Sequence, residues 1–246
     1  MAKTLLFEEL SFNAHPCLQT QYYDGWVLRF AHGYTNRANS VSTLYPSTLD
    51  LNDKIDECER RYSSQGQSTV FKMVEGNEVL DGLLERRGYI ASACTQVMTL
   101  DVTSTRGLAG GCEIVPINEW IPTYLRLNDC TDERKAATLS AIMTSVQNPV
   151  LCGQIVVNGQ AIACGEVVVE RGYGCLQNIV VHELHRGKGY GRQICEALIS
   201  QARTQSVHTV FLQAESPNEV AVNLYTSLGF TTQYSYWYRT GRVLSN

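Results

Sequence analysis

His185-Arg186-Gly187-Lys188-Gly189-Tyr190-Gly191-Arg192 is the stretch of sequence that decides the fold. It lies between the apolar run Ile179-Val180-Val181 and a helical pattern with Ile194, Leu198 and Ala202 on one face. Glycines at a strand-to-helix turn free backbone N–H groups, and the start of the helix adds partial positive charge. The stretch therefore predicts a cradle for a pyrophosphate. A tight turn that binds no ligand is the alternative.

Two common nucleotide-binding loops do not fit this spacing. The NTPase pattern G-x-x-x-x-G-K-[ST] is absent, because Lys188 is followed by Gly189 and not by Ser or Thr. The intervals between Gly187, Gly189 and Gly191 also differ from the dinucleotide pattern G-x-G-x-x-G. The sequence therefore disfavours an NTPase and a dehydrogenase.

The elements around the loop indicate a mixed α/β sheet flanked by helices. The patterns predict strands over 113–117, 150–157, 161–169, 175–181, 209–214 and 231–239, and helices over 131–146, 193–202 and 219–227. Thr131 is the predicted N-cap of the first of these helices. Asn158-Gly159 and Arg171-Gly172 predict two hairpin turns, so three consecutive strands are antiparallel neighbours.

The first half of the chain repeats the end of the second. It contains a helical stripe of Leu51, Ile55, Cys58 and Tyr62, a strand over 70–74, a helix over 79–87 and a strand over 95–100. Gly88-Tyr89 and Gly229-Phe230 are separated by 141 residues. We interpret the chain as a tandem duplication, with chance agreement between two α/β segments as the alternative. The predicted organisation is a domain over 1–103, a linker over 104–111 and a domain over 112–246.

The glycine loop and a second pattern downstream together resemble the GNAT superfamily of acyl-CoA-dependent N-acyltransferases. The signature Arg/Gln-x-x-Gly-x-Gly/Ala of that family stands here as 186–191, and its later pattern stands as Asn218, Ala221, Tyr225 and Gly229-Phe230. The match spans roughly residues 113 to 239. The resemblance implies the GNAT fold, acetyl-CoA as the acyl donor and direct transfer to an amine.

The resemblance also implies a role for each matching residue. Backbone groups of Ile179, Val180 and Val181 would bind the pantetheine arm; Arg186, Gly187, Lys188, Gly189, Tyr190, Gly191 and Arg192 would surround the pyrophosphate; and Asn218 would bind near the reactive end of the donor. Tyr225 would lie beside the thioester sulfur and donate a proton to the leaving thiolate. Considered without the resemblance, the pattern favours Tyr225 as an interior aromatic residue on the helical face of Leu224 and Leu228, and only the family spacing reverses this interpretation.

The identity of the general base is open at this point. An amine that is charged in water must lose a proton before it can attack a thioester. Some family members have a Glu five residues before the conserved Asn, but here that position is Gln213. Glu166 is the preferred candidate and Glu215 the second, although either carboxylate could lie on a solvated face. His182 is a weaker candidate, since a lone His after a strand is more often a cap or a surface residue.

In the first half, the stretch that corresponds to the loop is Tyr45-Pro46-Ser47-Thr48-Leu49-Asp50, which contains no glycine. Its proline removes a backbone donor, and Asp50 brings a negative charge to the place of a pyrophosphate. Leu84 stands in the position of Tyr225, while Asn77 alone matches Asn218. We expect a copy that binds no acyl-CoA and packs against the other half.

A strand over 26–30 and a polar loop over 31–41 set the first half apart. We hypothesise that this segment helps to shape the acceptor pocket, with Arg37 or Trp26 touching the substrate. An ordinary hairpin is the alternative.

Composition limits the remaining functions. The 246 residues include 20 Lys and Arg against 24 Asp and Glu, a net charge of -4, which predicts no nucleic-acid partner. The first apolar segment is too short for a signal sequence or a membrane span, so we expect a cytoplasmic protein without a membrane partner. Nine scattered cysteines without metal-ligand spacing predict reduced thiols and no metal. Direct transfer in the family also argues against Cys175 and Cys195 as nucleophiles.

The sequence leaves the acceptor open. It predicts an N-acetyltransferase that acts on a small-molecule or peptide amine, of undetermined oligomeric state. A non-catalytic acyl-CoA sensor or scaffold and a protein-lysine acetyltransferase are the competing interpretations.

Overall fold

The computed structural model describes residues 2–104, 108 and 110–241, and in those ranges it contains eleven strands and seven α-helices. The strands are β1 (Gln19–Tyr23), β2 (Trp26–Phe30), β3 (Val41–Ser42), β4 (Val70–Val74), β5 (Ile90–Asp101), β6 (Glu113–Val115), β7 (Val150–Val157), β8 (Gln160–Glu170), β9 (Tyr173–Val181), β10 (Thr209–Glu215) and β11 (Thr231–Thr240). The helices are α1 (Ala2–Ala14), α2 (Leu51–Ser63), α3 (Glu78–Arg86), α4 (Ile117–Leu127), α5 (Glu133–Thr144), α6 (Tyr190–Thr204) and α7 (Glu219–Ser227). Short 3₁₀ helices cover Asn36–Ala38 and Glu183–His185.

The two halves of the chain share one mixed sheet, because each half inserts its last strand into the other. The order is β1-β2-β3-β4-β11-β5-β10-β9-β8-β7-β6. Strand β5 pairs antiparallel with both β10 and β11, and β11 pairs antiparallel with β4 as well. A strand of the first half therefore supports β10, one of the two strands that build the site described below.

Equivalent hydrogen bonds occur within each half, at the residue spacing predicted from the sequence. At the end of α3, the N–H of Tyr89 donates to Leu84 O at 3.0 Å; at the end of α7, the N–H of Phe230 donates to Tyr225 O at 3.1 Å. Each donor and each acceptor lies 141 residues from its counterpart. The predicted mixed α/β fold with repeated elements is confirmed. The division at 104–111 stays a prediction, and its residues 105–107 and 109 lie outside the described residues, as do 242–246.

Several predicted boundaries were wrong. Helix α5 begins two residues later than predicted, because the Asp132 carboxylate, rather than Thr131, accepts hydrogen bonds from the N–H groups of Arg134 and Lys135. The predicted strand 113–117 ends at Val115, since Pro116 is the N-cap of α4. Helix α6 begins at Tyr190, inside the glycine loop and three residues before the predicted start.

Helix α1 packs across the junction of the two halves. Its Phe7 contacts the rings of Tyr173 and Phe211, which belong to the second half, with centroids 5.8 and 5.2 Å apart. Glu8 on the same helix forms a buried ion pair with Lys72 of β4, with Nζ and Oε2 2.6 Å apart. The hydroxyl of Tyr234 on β11 also donates to Glu8, at 2.8 Å. Apolar and charged contacts thus hold the strand exchange in place.

Candidate active site

Strands β9 and β10 separate to form a wedge. They are parallel partners only over Tyr173–Cys175 and Thr209–Phe211, after which β9 continues to Val181 and β10 to Glu215 without further pairing between them. Each wall is held from behind, β9 by β8 and β10 by β5. Because the walls are fixed, the wedge is a stable opening in the middle of the sheet.

A bulge turns part of β9 toward the wedge. Asn178 has a φ of 55°, and the pairing of β8 with β9 shifts by one residue there. Past the bulge, the N–H of His182 donates to Ile162 O at 2.8 Å, which fixes the alternation of the ladder. The polar backbone groups of Ile179 and Val181 therefore face away from β8 and into the wedge. This is the position in which they could bind an extended amide-containing chain.

The glycine loop presents a series of backbone donors. Within the described part of the chain, no N–H from Gly187 to Arg192 donates to a protein acceptor, whereas Gln193 donates to Gly189 O at 3.0 Å. Gly187 and Gly189 have φ values of 73° and 87°, a conformation that disfavours other residues, and a Cβ added to either would meet no atom within 4 Å. The loop thus combines six free N–H groups with open space and the start of α6.

Side chains of the loop form hydrogen bonds with the segments that flank it. The guanidinium of Arg186 donates to Val181 O at 3.1 Å, and the Lys188 ammonium donates to Leu184 O at 2.9 Å. Arg192 pairs with Glu196 of α6 and donates to the Ser227 hydroxyl of α7. The predicted pyrophosphate residues are therefore together at the amino-terminal end of α6.

His182 has a structural role. Its Nδ1 accepts a hydrogen bond from the N–H of Leu184 at 3.3 Å and so caps the 3₁₀ helix before the loop. This hydrogen bond favours the capping interpretation of His182.

The wedge opens into a cavity of about 560 Å³ between the two halves. Its lining includes Ile179 and Val180 of β9, Gln213 and Glu215 of β10, Asn218 and Tyr225 of α7, Thr95 of β5, and Tyr236 and Tyr238 of β11. Tyr225 is 9% exposed and packs against Phe230, and burial raises the pKa of its phenol well above the usual range. Its hydroxyl is therefore a neutral hydrogen-bond donor at physiological pH.

Glu166 lies behind the wall of this cavity. It is 3% exposed, and its Oε1 accepts hydrogen bonds from the side chains of Gln177 at 2.9 Å and Asn178 at 2.8 Å. Burial raises the pKa of Glu166 to about 7, against the opposing effect of these two hydrogen bonds and of Arg37. A carboxyl group with this pKa can accept a proton at neutral pH.

Other candidates occupy different positions. Glu215 is exposed at the cavity rim, and Gln213 donates to Ser11 Oγ at 2.8 Å. Asn218 accepts from the N–H of Ala221 at 3.1 Å and so caps α7, which leaves its side-chain NH₂ as a donor. Burial raises the pKa of the Cys175 and Cys195 thiols to about 12, which makes them poor nucleophiles.

Of the two residues proposed in the strand and polar loop over 26–41, only Arg37 reaches the cavity. Arg37 lines the cavity and donates to Gln177 Oε1 at 3.3 Å. Trp26 was the wrong choice, because it is 2% exposed and lies in the core of the first half against Phe71.

Three residues that line the cavity were not predicted from the sequence: Gln177, Asn178 and Tyr124. The first two were detectable as a polar pair interrupting an apolar strand. Tyr124 lines the cavity from α4, a helix that was not predicted, and its hydroxyl donates to Asn178 Oδ1 at 3.3 Å.

In the first half, the turn from β3 to α2 holds an internal anion. The carboxylate of Asp24 accepts hydrogen bonds from the N–H groups of Thr48 and Leu49, from two hydroxyls and from the Lys54 ammonium. The N–H of Leu49 above all, with Thr48 and Lys54, holds the pKa of Asp24 well below its usual range. Asp50, which was expected to take this place, is instead the N-cap of α2.

No group of three or more His, Cys, Asp or Glu side chains in the described ranges is arranged to hold a metal ion. None of the helices in the same ranges has both the length and the apolar character needed to cross a membrane.

Comparison with known proteins identifies the family. The model of the family described as probable histone acetyltransferase Rv0428c, C-terminal, matches residues 6–239. The chain belongs to this family of GNAT acetyltransferases. It is 29% identical over 244 residues to YobR, an uncharacterized N-acetyltransferase of Bacillus subtilis (strain 168), with 96% of this chain and 97% of YobR covered.

Solved structures agree with this family. A GCN5-related N-acetyltransferase from Kribbella flavida has a TM-score of 0.71 at 12% identity, with 98% of this chain and 96% of the other covered. A tandem GNAT protein from the clavulanic acid biosynthesis pathway has a TM-score of 0.63 at 15% identity, with 84% and 76% covered. At such identities the structures establish the GNAT fold, and the predicted fold is confirmed.

Proposed function

We propose that this GNAT protein is an acetyl-CoA-dependent N-acetyltransferase that transfers the acetyl group directly to an amine of a small molecule or peptide. The six free N–H groups of the loop over 187–192 are the observation that carries the proposal. Buried or clustered backbone donors are normally paired, so a run of unpaired donors at a helix start is suited to an anion.

The first half supplies an internal comparison for this anion site. There the turn before α2 directs the N–H groups of Thr48 and Leu49 at the carboxylate of Asp24. The corresponding turn before α6 has no such carboxylate among its described hydrogen-bond partners. The same architecture thus binds an internal anion in one half and leaves donors for an external anion in the other. This contrast supports a single acetyl-CoA site, in the second half.

The direction of β9 fits the rest of the donor molecule. From the loop, the exposed backbone edge of Val181 and Ile179 leads into the cavity, where Asn218 and Tyr225 lie on the opposite wall. A pantetheine arm bound along this edge would carry its thioester toward the Tyr225 hydroxyl. The amine acceptor would then enter from the side of the cavity lined by the first half.

The chemistry follows from these positions. The neutral amine attacks the thioester carbonyl carbon, a C–N bond forms, and the C–S bond breaks with the electron pair going to sulfur. In this proposal Tyr225, whose burial keeps the phenol protonated, gives its proton to the departing thiolate and regains a proton from solvent. The amine loses one proton in the process, and this proton needs an acceptor.

Glu166 is our preferred proton acceptor. It does not line the cavity itself, so the proton reaches it through water at the wall formed by Gln177 and Asn178. Its second oxygen, Oε2, accepts no hydrogen bond from the described residues and is the atom that would take the proton. Glu215 at the rim is the alternative base.

A non-catalytic acyl-CoA sensor is the second candidate function. It requires the loop and the wedge but neither Tyr225 nor a carboxyl group with a pKa near 7, and both are present. A protein-lysine acetyltransferase differs only in the size of the acceptor. Coenzyme A release measured with a panel of amines and peptides separates these candidates, because a sensor binds the donor without turnover.

Calorimetry with coenzyme A tests the proposal. Gly189→Ala places a methyl group in the open space of the loop, and we expect the affinity for coenzyme A to fall about ten- to a hundredfold. Gly66→Ala is a matched control, because Gly66 also has a positive φ, 67°, and open space around it. Wild-type protein that is folded and shows no affinity for coenzyme A would overturn the proposal.

A further inference from the structure

We propose that the acceptor is a small amine that also carries a carboxylate, and that Arg37 of the first half binds this carboxylate. The inference rests on the proposed function and names the substrate class for the same cavity.

Arg37 is a cation in the cavity without an anionic partner. Its guanidinium makes one hydrogen bond, to the neutral amide oxygen of Gln177 at 3.3 Å, and forms no ion pair with a carboxylate of the described residues. A guanidinium has five N–H donors in a planar fork that matches a carboxylate. Most of the hydrogen-bonding capacity of Arg37 is therefore available to a ligand in the cavity.

Neighbouring groups add positive charge behind Arg37. Arg29 donates to the backbone oxygens of Arg37 and His15, and it too forms no ion pair with a described carboxylate. Burial, and then Arg37 and Arg29, hold the pKa of His15 well below its usual range, so His15 stays neutral. The buried Arg29 guanidinium thus lies behind the backbone of Arg37, and both arginines act on His15, so the positive charge at this end of the cavity favours an anionic ligand.

Glu166 does not neutralise this charge directly. Gln177 separates the two groups: its Oε1 accepts from Arg37, and its Nε2 donates to Glu166 at 2.9 Å. The amide relay fixes the positions of a cation and a proton acceptor on one wall. An amine that carries a carboxylate matches this pair, with the carboxylate on Arg37 and the amine within reach of water at Glu166.

The cavity also favours a small acceptor over a basic peptide. Its volume of about 560 Å³ must hold the acetyl-thioester end of the donor together with the acceptor. Thr35, Tyr124 and Asn128 line the same region and provide further hydrogen-bonding groups. A lysine-rich peptide would bring its positive charges toward Arg37, which is unfavourable in a partly desolvated site.

Acceptor pairs test the inference. Each L-amino acid is compared with its carboxamide, which keeps the amine and side chain but lacks the carboxylate, at saturating acetyl-CoA with coenzyme A release as the signal. For the accepted side chains, we expect kcat/KM to be about 10- to 100-fold higher for the amino acid than for its amide. Arg37→Ala should remove this preference by raising KM for the amino acid, while Arg37→Lys should keep part of it. Arg86→Ala, an exposed arginine on α3, is the control.

The outcomes separate this inference from the proposed function. If Arg37→Ala binds coenzyme A normally but lowers kcat/KM equally for amino acids and amides, Arg37 does not bind a carboxylate and the inference is wrong. It is also wrong if the wild-type protein acetylates amides or lysine peptides as well as amino acids. Absence of coenzyme A binding and of turnover with any amine would instead overturn the proposed function.

Discussion

Tyr225 shows how burial would prepare a single residue for the proposed reaction. The phenol packs against Phe230 in the core of the second half, yet it borders the cavity. Removing it from water disfavours the phenolate, so the hydroxyl keeps its proton and would donate a hydrogen bond to the negative charge that develops on the leaving sulfur. The same burial explains why the sequence alone also allowed an interior aromatic residue at this position.

Replacing Tyr225 with Phe keeps the packing and removes the proton. We expect Tyr225→Phe to lower kcat about 10²- to 10⁴-fold at pH 7, with little change in the affinity for coenzyme A. Steady-state kinetics and calorimetry on the same preparation check both parts. An unchanged kcat would show that another group protonates the thiolate.

The raised pKa of Glu166 predicts how kcat/KM depends on pH. Because its pKa is raised to about 7, kcat/KM for the acceptor should fall as the pH decreases below about 7, where Glu166 becomes protonated. Glu166→Gln should be nearly inactive and should lack this acidic limb, whereas Glu215→Gln should keep both activity and limb. The reverse pattern in a pH profile of the two variants would make Glu215 the base.

The same residue affects stability with a defined sign. The native state holds the Glu166 proton more tightly than the unfolded state, so stability decreases as the pH rises from about 4.5 to about 7. Glu166→Gln should therefore increase the free energy of unfolding at pH 8, by about 1–3 kcal/mol, and have little effect at pH 4.5. Urea denaturation at the two pH values measures this difference.

At the scale of single elements, the turns before α2 and α6 differ in whether their backbone donors have a partner within the chain. In the turn before α2, the carboxylate of Asp24 accepts hydrogen bonds from the backbone N–H groups. Pro46 and Asp50 indicated from the sequence that this copy could not bind a pyrophosphate. The sequence could not predict that Asp24 is this acceptor, because Asp24 lies in a preceding hairpin turn and contacts the loop only in the folded chain.

Without the Asp24 carboxylate, the N–H groups of Thr48 and Leu49 and the Lys54 ammonium lose a hydrogen-bond acceptor. Asp24→Ala should lower the melting temperature at pH 7, and Asp56→Ala, a change in an exposed carboxylate, should have little effect. The pKa of Asp24 is lowered in the native state, so this contribution is present at neutral pH and is lost as the pH falls below about 4. Equal melting temperatures for Asp24→Ala and the wild type would contradict this role.

Elements differed in how well the sequence predicted them. The hairpin at Asn158-Gly159 is confirmed, with φ values of 52° and 78°, because positive φ is a local property of these residues. Helix α4 was missed, since Pro122 lies inside it and interrupts the expected pattern, although its Trp120 and Tyr124 are buried. Elements determined by local chemistry were therefore predictable from the sequence, and elements stabilised mainly by tertiary packing were not.

At the scale of the whole molecule, strand exchange joins the two halves. The apolar pattern of β5 and β11 predicted strands but could not predict their partners, because periodicity specifies which face is buried and not which edge is paired. Through this exchange the first half takes part in the candidate site. It supplies β5 behind β10, and Arg37, Thr95 and Thr35 to the cavity.

Substitutions at the buried ion pair of Glu8 and Lys72 test whether the two halves unfold together. Glu8→Ala leaves the Lys72 charge buried without its carboxylate, and we expect a loss of about 3–5 kcal/mol in the free energy of unfolding. Glu9→Ala on the same helix should cost less than about 1 kcal/mol, because the Glu9 side chain is 36% exposed and its ion pair is at the surface. Since both halves share one sheet, urea should unfold wild type and variants in one transition. Two separated transitions would mean that the halves unfold independently.

The central claim is that backbone amides of the glycine loop bind the diphosphate of coenzyme A. Selective ¹⁵N-glycine labelling and NMR measure this directly, because Gly187, Gly189 and Gly191 each report on the loop. We predict that coenzyme A shifts these three amide signals, that pantetheine, which lacks the diphosphate, does not, and that Gly66 responds to neither. Unchanged loop signals at saturating coenzyme A, or equal shifts with pantetheine, would contradict the claim.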